Sequence, residues 1–439
     1  MCNHQPVSCN TVQPDGLTGA ILALEGIEDA AVILHGPTGC RGHHCSLSER
    51  AFPRDIPDER LNFFEPFYFG QPRIPATGLD GDDFVFGGAE KLRKALATVA
   101  ARGPAFIAVV NTPGAALIGE DLRRIAFDSG IAVPVAGIDM PALSRSMAEG
   151  YEQAIAAVLD TLDLNPACRR RPKTVTLLGL SIAHHHWAGS IEEIRRLLAL
   201  SRIEVVCAPG AGSPVGAWKR IPEAACHVAV HAEYGEQLAW RLAERFGGTA
   251  VVPRCGAPFG FTATEEWLRE VAEAAGADPA PALAAVKAVR RRVACVLSRV
   301  TTLTGAPKGL TCSIQADAST ALPLVRFLYE YLGILPVSVE IPDEAQANSH
   351  WAARLGLALT RMGCADAWQT PWQNARADFL LADGCRAVQG PIFGIPADCC
   401  IELVLPMSGC VDLTPKALLG AEGTALLVEK IVNAVSGML

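Results

Sequence analysis

The chain has 439 residues, 50% hydrophobic and 19% charged, a balance that excludes a disordered polymer. At roughly 150 residues per domain, this length predicts two or three domains. With 46 acidic against 38 basic residues, a net charge of −8 and 6% aromatics, the composition argues against a general nucleic-acid binder or a polybasic membrane anchor.

The opening Met1-Cys2-Asn3-His4-Gln5-Pro6 lacks a basic segment followed by an apolar one, and no run of about 18 apolar residues occurs. The expectation is therefore a cytoplasmic protein without membrane contact. In a reducing compartment its 15 cysteines are not a disulfide framework; they are small buried hydrophobes or metal ligands.

Short β-rich runs alternate with longer helical stretches. A helical segment at 16–24 precedes a strand at 31–34, which runs into the turn His35-Gly36-Pro37. Strands follow at 106–110 and 131–138, then a helix at 143–162 interrupted only by Gly150. The basic, proline-bearing stretch 165–173 reads as a linker. Beyond it come strands at 174–180, 203–208, 227–231 and 249–253, and helices at 191–200, 236–246 and from about 264. A long helix at 281–303 has apolar residues at period 3.6, with Lys287, Arg290, Arg291 and Arg292 opposite. After the break Gly305-Ala306-Pro307-Lys308-Gly309, strands at 310–315, 335–341 and 379–382 and a helix at 424–435 complete the chain. The pattern predicts an α/β fold: three Rossmann-like domains with parallel sheets covered by helices, at 1–165, 174–304 and 305–439. Such sheets carry their chemistry in the loops beyond the carboxyl ends of the strands.

The strongest local signal is His35-Gly36-Pro37-Thr38-Gly39-Cys40, where a glycine turn leaves a buried strand and a cysteine falls at a helix start. Helix N-terminal amides favour a thiolate there, and backbone amides in such turns also donate to the sulfurs of an iron–sulfur cluster. The alternative is a turn carrying a packed cysteine. Cys9, ahead of the first helix, is a second loop thiol that shares the same domain. Cys2 and Cys45 are weaker candidates, and His43 and His44 read as solvated loop histidines. Two further segments, Asp82–Leu92 and Val110–Leu122, each lead through a turn into a helix. His184-His185-His186 reads as a partly exposed loop able to meet an anion or metal. Cys255, Cys399, Cys400 and Cys410 read as packing, and Asp15 as a turn carboxylate or an oxygen ligand. No G-x-x-x-x-G-K-[ST] and no G-x-G-x-x-G after a strand occurs, so any ATP is bound by a partner.

The succession HGPTGC, VFGGAEKL and AALIGEDL resembles nitrogenase component 1 and its relatives, strongly in the first α/β unit. VAVHAEYGEQLAWRLAERFG and GAPFGFTATEEWL extend the resemblance more weakly. The resemblance implies two related subunits of three α/β domains each, with iron–sulfur clusters buried at their interface and an ATP-hydrolysing iron protein homodimer delivering electrons. Cys40 falls on the cluster ligand of the HGPxGC motif, and Cys9 is the candidate for the first ligand. Pro113 stands at the third ligand position, so Cys45 or Cys2 would complete the set, or the cluster would be held mainly by the partner. Either a [4Fe–4S] cluster or a P-cluster-like [8Fe–7S] cluster shared with that partner is implied.

Ala232 follows His231 where an α-type subunit carries a cofactor cysteine, and the last histidine of the chain is His350. The resemblance therefore implies a β-type, electron-relay subunit of an α2β2 heterotetramer. Its reaction class is that of the nitrogenase-like reductases, among which reductive C–S cleavage of methylthio-alkanes is one. A cofactor-assembly scaffold subunit and a cluster-free α/β binding protein are the alternatives.

Overall fold

The structure, a computed structural model, describes residues 14–53, 73–139, 145–405 and 414–436. Three parallel sheets with helices between them form the molecule. The first contains β1 (Ala30–His35), β2 (Phe106–Asn111) and β3 (Val135–Ile138), in the order β1-β2-β3. The second contains β4 (Arg171–Leu178), β5 (Glu204–Cys207), β6 (Ala224–Ala229) and β7 (Thr249–Val251), in the order β5-β4-β6-β7. The third contains β8 (Thr311–Gln315), β9 (Leu335–Glu340), β10 (Phe379–Asp383) and β11 (Cys400–Val404), in the order β11-β10-β8-β9. The second and third sheets share one winding, in which the first strand lies between the second and the third. Their order therefore reverses at β4/β6 and at β8/β10, where crevices open beyond the carboxyl ends of the strands. β2 and β10 are buried along their whole length, as strands covered on both faces must be.

Some boundaries differ from the sequence reading for identifiable reasons. β4 already begins at Arg171, inside the stretch expected to be a linker. Arg171 pairs in register with Ala224, and its guanidinium donates to Glu204 at 2.8 Å and Glu223 at 3.4 Å. The helix Ala232–Phe246 starts earlier than the apolar periodicity suggests, because its first turn packs through small residues. A Cβ on Gly235 would lie 2.8 Å from the backbone of Leu178 and Gly179. β3 is shorter than expected and starts only at Val135.

Two glycines fix the helix pair that backs the first sheet. Gly16–Glu25 is buried along its length and crosses Met147–Thr161 closely. A Cβ on Gly19 would sit 1.9 Å from the Met147 carbonyl oxygen, and one on Gly150 would sit 1.9 Å from that of Gly16. The second helix is capped by a reciprocal Ser146–Glu149 box, with bonds of 2.9 and 3.2 Å.

One apolar cluster runs without a break through the second and third sheets, from Val228 to Ile314 and Leu381. The C-terminal helix Gly420–Ser436 packs back on Trp187–Leu200, Gly260–Ala275 and Ala280–Thr304. In the last of these, Arg290 is not opposite the apolar face as the sequence suggested. It pairs with Glu265, and its guanidinium lies 5.7 Å from the Phe261 and Tyr331 ring centroids. No helix among the described residues is long and apolar enough to cross a membrane.

Candidate functional site

The HGPTGC segment leaves the carboxyl end of β1 and turns through a short 3-10 stretch, Thr38–Cys40, into the helix Arg41–Ala51. A neighbouring segment braces the turn. The Leu34 amide donates to the Pro75 carbonyl at 2.9 Å, that of Gly36 to Thr77 Oγ1 at 3.0 Å, and those of Gly78 and Leu79 to the Gly36 carbonyl at 3.0 and 3.1 Å. Cys40 stands exposed at the start of the helix. Among the described residues, nothing beyond the adjoining backbone lies within 4 Å of where a Cβ on the flanking Gly39 or Gly42 would stand.

A single carboxylate ties together the three segments singled out in the sequence. Glu120, from AALIGEDL, accepts from His35 Nε2 at 2.9 Å and from the Gly88 amide at 2.8 Å. His35 is fully buried at the start of HGPTGC, and Gly88 caps the helix Ala89–Ala100 that follows VFGG. The Thr112 amide adds a bond to the His35 carbonyl at 2.9 Å. Sequence reasoning missed Glu120. The only signal for it was that each of the three motifs ends in a turn that begins a helix.

The same edge of the first sheet is apolar. Val85, Phe86 and Leu117 are 74%, 85% and 84% exposed, and the Phe84 ring lies 3.5 Å from where a Cβ on Gly114 would stand. Exposed apolar surface grouped in this way is characteristic of a contact face. Pro113 begins the short helix Pro113–Ala116, capped by Thr112 Oγ1, which accepts from the Ala115 amide at 3.3 Å. That position supplies neither a thiol nor an amide hydrogen.

The structure does not bring Cys45 beside Cys40. Five residues along an α-helix is a turn of about 140°, and Cys45 accordingly faces the core. Its thiol donates to the Ile74 carbonyl at 3.7 Å, and burial pushes its pKa up. Cys45 is thus packed in the core and turned away from Cys40, where the sequence offered it as a weaker candidate ligand. His43 and His44 lie on the same helix, not in a loop. His43 is exposed, whereas His44 is buried, and burial followed by the charge of His43 lowers its pKa to about 4. Asp15 is the N-cap of Gly16–Glu25, accepting from the Thr18 amide at 2.9 Å. Cys2, Cys9 and Cys410 lie outside the described residues. Among the described residues no group of three or more His, Cys, Asp or Glu side chains could hold a metal ion. The described donors therefore fit one thiolate edge of an iron–sulfur cluster, at Cys40, and not a complete cage.

The second cluster of chemistry lies at the crevices of the other sheets. The histidine triplet is not an exposed loop, because β11 covers it. The His185 amide donates to the Leu403 carbonyl at 3.0 Å, and its Nδ1 lies 2.8 Å from the Glu402 carbonyl. His184 stacks on His231 with ring centroids 4.0 Å apart and planes 9° apart. His231 Nδ1 lies 3.0 Å from Thr320 Oγ1, and the Ala232 amide donates to Ser319 Oγ at 3.1 Å. Burial lowers the pKa of His184 to about 4 and that of His231 well below its usual value. A cavity lined by His184, His185 and His231 measures 20 Å³, room for about one water. A larger cavity of 290 Å³ lies beside it, lined by Asp15, Arg145, Asp317, Asp383 and Arg386.

Residues 16–436 match the model of the family described as nitrogenase component 1 type oxidoreductase. The chain is 27% identical over 217 residues to the nitrogenase molybdenum-iron protein beta chain of Methanococcus maripaludis, covering 46% of this chain and 42% of that protein. It is 29% identical over 281 residues to the B polypeptide of the light-independent protochlorophyllide reductase of Rhodopseudomonas palustris (strain TIE-1), covering 61% and 48% respectively. The chain thus spans about half the length of these relatives. Among solved structures, nitrogenase Cp1 at pH 6.5 superposes with a TM-score of 0.78 at 16% identity, over 100% of this chain and 95% of that one, a likeness of fold. With a family match running nearly end to end over three parallel α/β sheets, the chain belongs to the nitrogenase component 1 type oxidoreductases.

Proposed function

We propose that this chain is the β-type, electron-relay subunit of a nitrogenase-like reductase, with Cys40 gripping the edge of an iron–sulfur cluster shared with an α-type partner. The observation that carries this reading is the exposed Cys40 thiol on the glycine turn after β1, in a domain that also exposes Phe86 and Leu117. A thiol so placed can bind iron only if other ligands come from Cys9 or from a second polypeptide. The apolar edge suits burial against that polypeptide, which would exclude water from the site.

The residues of this chain do three things in the reading. Cys40 supplies a thiolate. The Glu120–His35 pair and the Gly88 amide hold the three surrounding segments in register. Phe84, Val85, Phe86 and Leu117 seal the boundary. When bound, the cluster stores and passes single electrons. Substrate chemistry belongs to the partner: Ala232 supplies no thiol, and the cavity at His231 has room for one water rather than a cofactor. ATP hydrolysis belongs to an iron protein homodimer. Reductive C–S cleavage of methylthio-alkanes is the substrate class proposed, by analogy with the nitrogenase-like reductases.

The test is iron and sulfide content of the complex purified without oxygen. Cys40→Ala is expected to lose or convert the shared cluster and abolish reduction by the iron protein and ATP, with the fold retained. Cys45→Ala is expected to keep its iron. Full iron content in Cys40→Ala refutes the assignment. A second reading, a cofactor-assembly scaffold, is favoured by Pro113, which removes a thiol from the third ligand position. Transfer of a precursor cluster to an empty acceptor, without turnover, would select it.

A further inference from the structure

The order of the third sheet reverses at β8/β10, and in open parallel sheets a ligand sits beyond the carboxyl ends of the strands at such a point. The cavity of 290 Å³ lies there. Gln315 ends β8, Asp317 follows it, Asp383 ends β10, and all three line the wall. Tyr234, from the first turn of Ala232–Phe246, lines it too.

Three side chains on this wall lack the partners such groups usually take. Asp317 stands at the N-cap of Ala318–Phe327, yet its carboxylate makes no capping bond. Asp383, in the same position on the helix Gly384–Gln389, does cap, accepting from the Arg386 amide at 3.1 Å. Tyr234 is 3% exposed and Gln315 5%. Among the described residues, neither the Tyr234 hydroxyl nor the Gln315 side-chain amide makes a hydrogen bond. The Tyr234 ring is fixed edge-on against Tyr151 and His184, with centroids 5.5 and 5.2 Å away. Burial, then the charges of Asp317, Glu233 and Asp343, raise the pKa of Tyr234, so its hydroxyl stays protonated in the field of those carboxylates. Buried polar groups are normally bonded, and those left open on a cavity wall are completed by what fills the cavity.

The charge of the wall selects the class of ligand. Its two cations are engaged, Arg386 with Asp383 and Arg145 with Gln153, and Asp15 is committed to its helix cap. The carboxylates of Asp317 and Asp343 remain, and burial followed by the charge of Glu233 raises the pKa of Asp317 to about 8. Among the described residues no group of three or more acids, histidines or cysteines could hold a metal ion. An ammonium group carries three donors on one charge and is served by a looser set of oxygens.

We propose that this cavity binds a small organic amine, with its ammonium group on the Asp317 and Asp343 carboxylates and the Tyr234 hydroxyl and Gln315 amide beside it. The site rests on no part of the cluster reading at Cys40. The full chain is titrated calorimetrically with n-butylamine, butyrate, butanol and magnesium chloride at constant ionic strength. Butylamine is expected to saturate a single site and to bind at least about tenfold more tightly than butyrate or butanol. Asp317→Asn should weaken butylamine at least about tenfold, and Tyr234→Phe about threefold. Neither variant should lower the melting temperature, because neither removed group caps a helix or bonds to another residue across the wall. Equal binding of butylamine and butyrate, no binding of either, or undiminished binding by Asp317→Asn overturns the proposal. So does displacement of butylamine by magnesium, which would assign the site to an inorganic cation.

Discussion

Removing the Glu120 carboxylate separates the three segments around Cys40, and the effect can be read locally. In Glu120→Ala, the His35 Nε2 donor and the Gly88 amide lose acceptors at 2.9 and 2.8 Å. Hydrogen bonds to a charged acceptor contribute about 1.5–3 kcal/mol each, with less lost where water can replace the acceptor. His35 is fully buried, whereas the Glu120 side chain is 12% exposed, so the His35 bond dominates. A combined loss of about 2 kcal/mol in local stability corresponds to roughly a 30-fold faster opening-limited exchange. The assay is hydrogen–deuterium exchange of peptides covering Gly36, Gly88 and Thr112, read beside a distant peptide in β10. Glu120→Gln keeps one acceptor but turns an amide donor toward the other partner, so it should recover only part of the protection. A double-mutant cycle with His35→Ala should give a coupling of about 1–2 kcal/mol. Unchanged exchange at Gly88 in Glu120→Ala, or strict additivity of the two substitutions, refutes the idea that this pair holds the turn.

The further outcomes concern stability. Gly150→Ala places a Cβ 1.9 Å from the Gly16 carbonyl oxygen and must push apart two buried helices, at a cost of about 1–3 kcal/mol. Gly356→Ala, on a helix where a Cβ meets nothing within 4 Å, should instead raise the thermal midpoint slightly. Desolvation, aided by the nearby Glu233 carboxylate, raises the pKa of Asp317 to about 8. Its folded state thus keeps a proton that the unfolded chain releases near pH 4, so Asp317 costs stability increasingly as pH rises from 4 to 8. Asp317→Asn should therefore raise the melting temperature more at pH 8 than at pH 5. The buried His184 and His227, lowered to about 4, act on the other limb. The unfolded chain protonates them first, so their contribution is lost as pH falls from 6.5 toward 4.

The strands were legible because parallel strands covered on both faces read as short, uninterrupted apolar runs, such as Phe379-Leu380-Leu381-Ala382. Helix starts were less so. Trp187–Leu200 begins beyond His186, which holds a left-handed φ of 55°, and no capping side chain announces it. Ala232–Phe246 opens with residues suited to close approach to β4 rather than to amphipathic spacing. Arg171 read as linker because its charge is satisfied by Glu204 and Glu223, which lie 33 and 52 residues further along the chain. Pairings of that range leave no trace in local composition.

The same distinction separates the two halves of the candidate site. Cys40 was visible because a glycine turn between strand and helix is a local pattern, complete within six residues of sequence. The arrangement behind it is not local: Glu120 lies 85 residues from His35 and 32 from Gly88, and only the parallel pairing of β1 with β2 brings them together. The placement of Cys45 has a related origin. Its spacing from Cys40 already placed it on the far side of a helix, but the carbonyl that holds it there comes from Ile74, 29 residues further along the chain. The exposed thiol is thus set by sequence-adjacent residues and oriented by distant ones. Substitution of Gly36 or Gly39 should therefore change whether the turn forms, whereas substitution of Glu120 should change how firmly a formed turn is held.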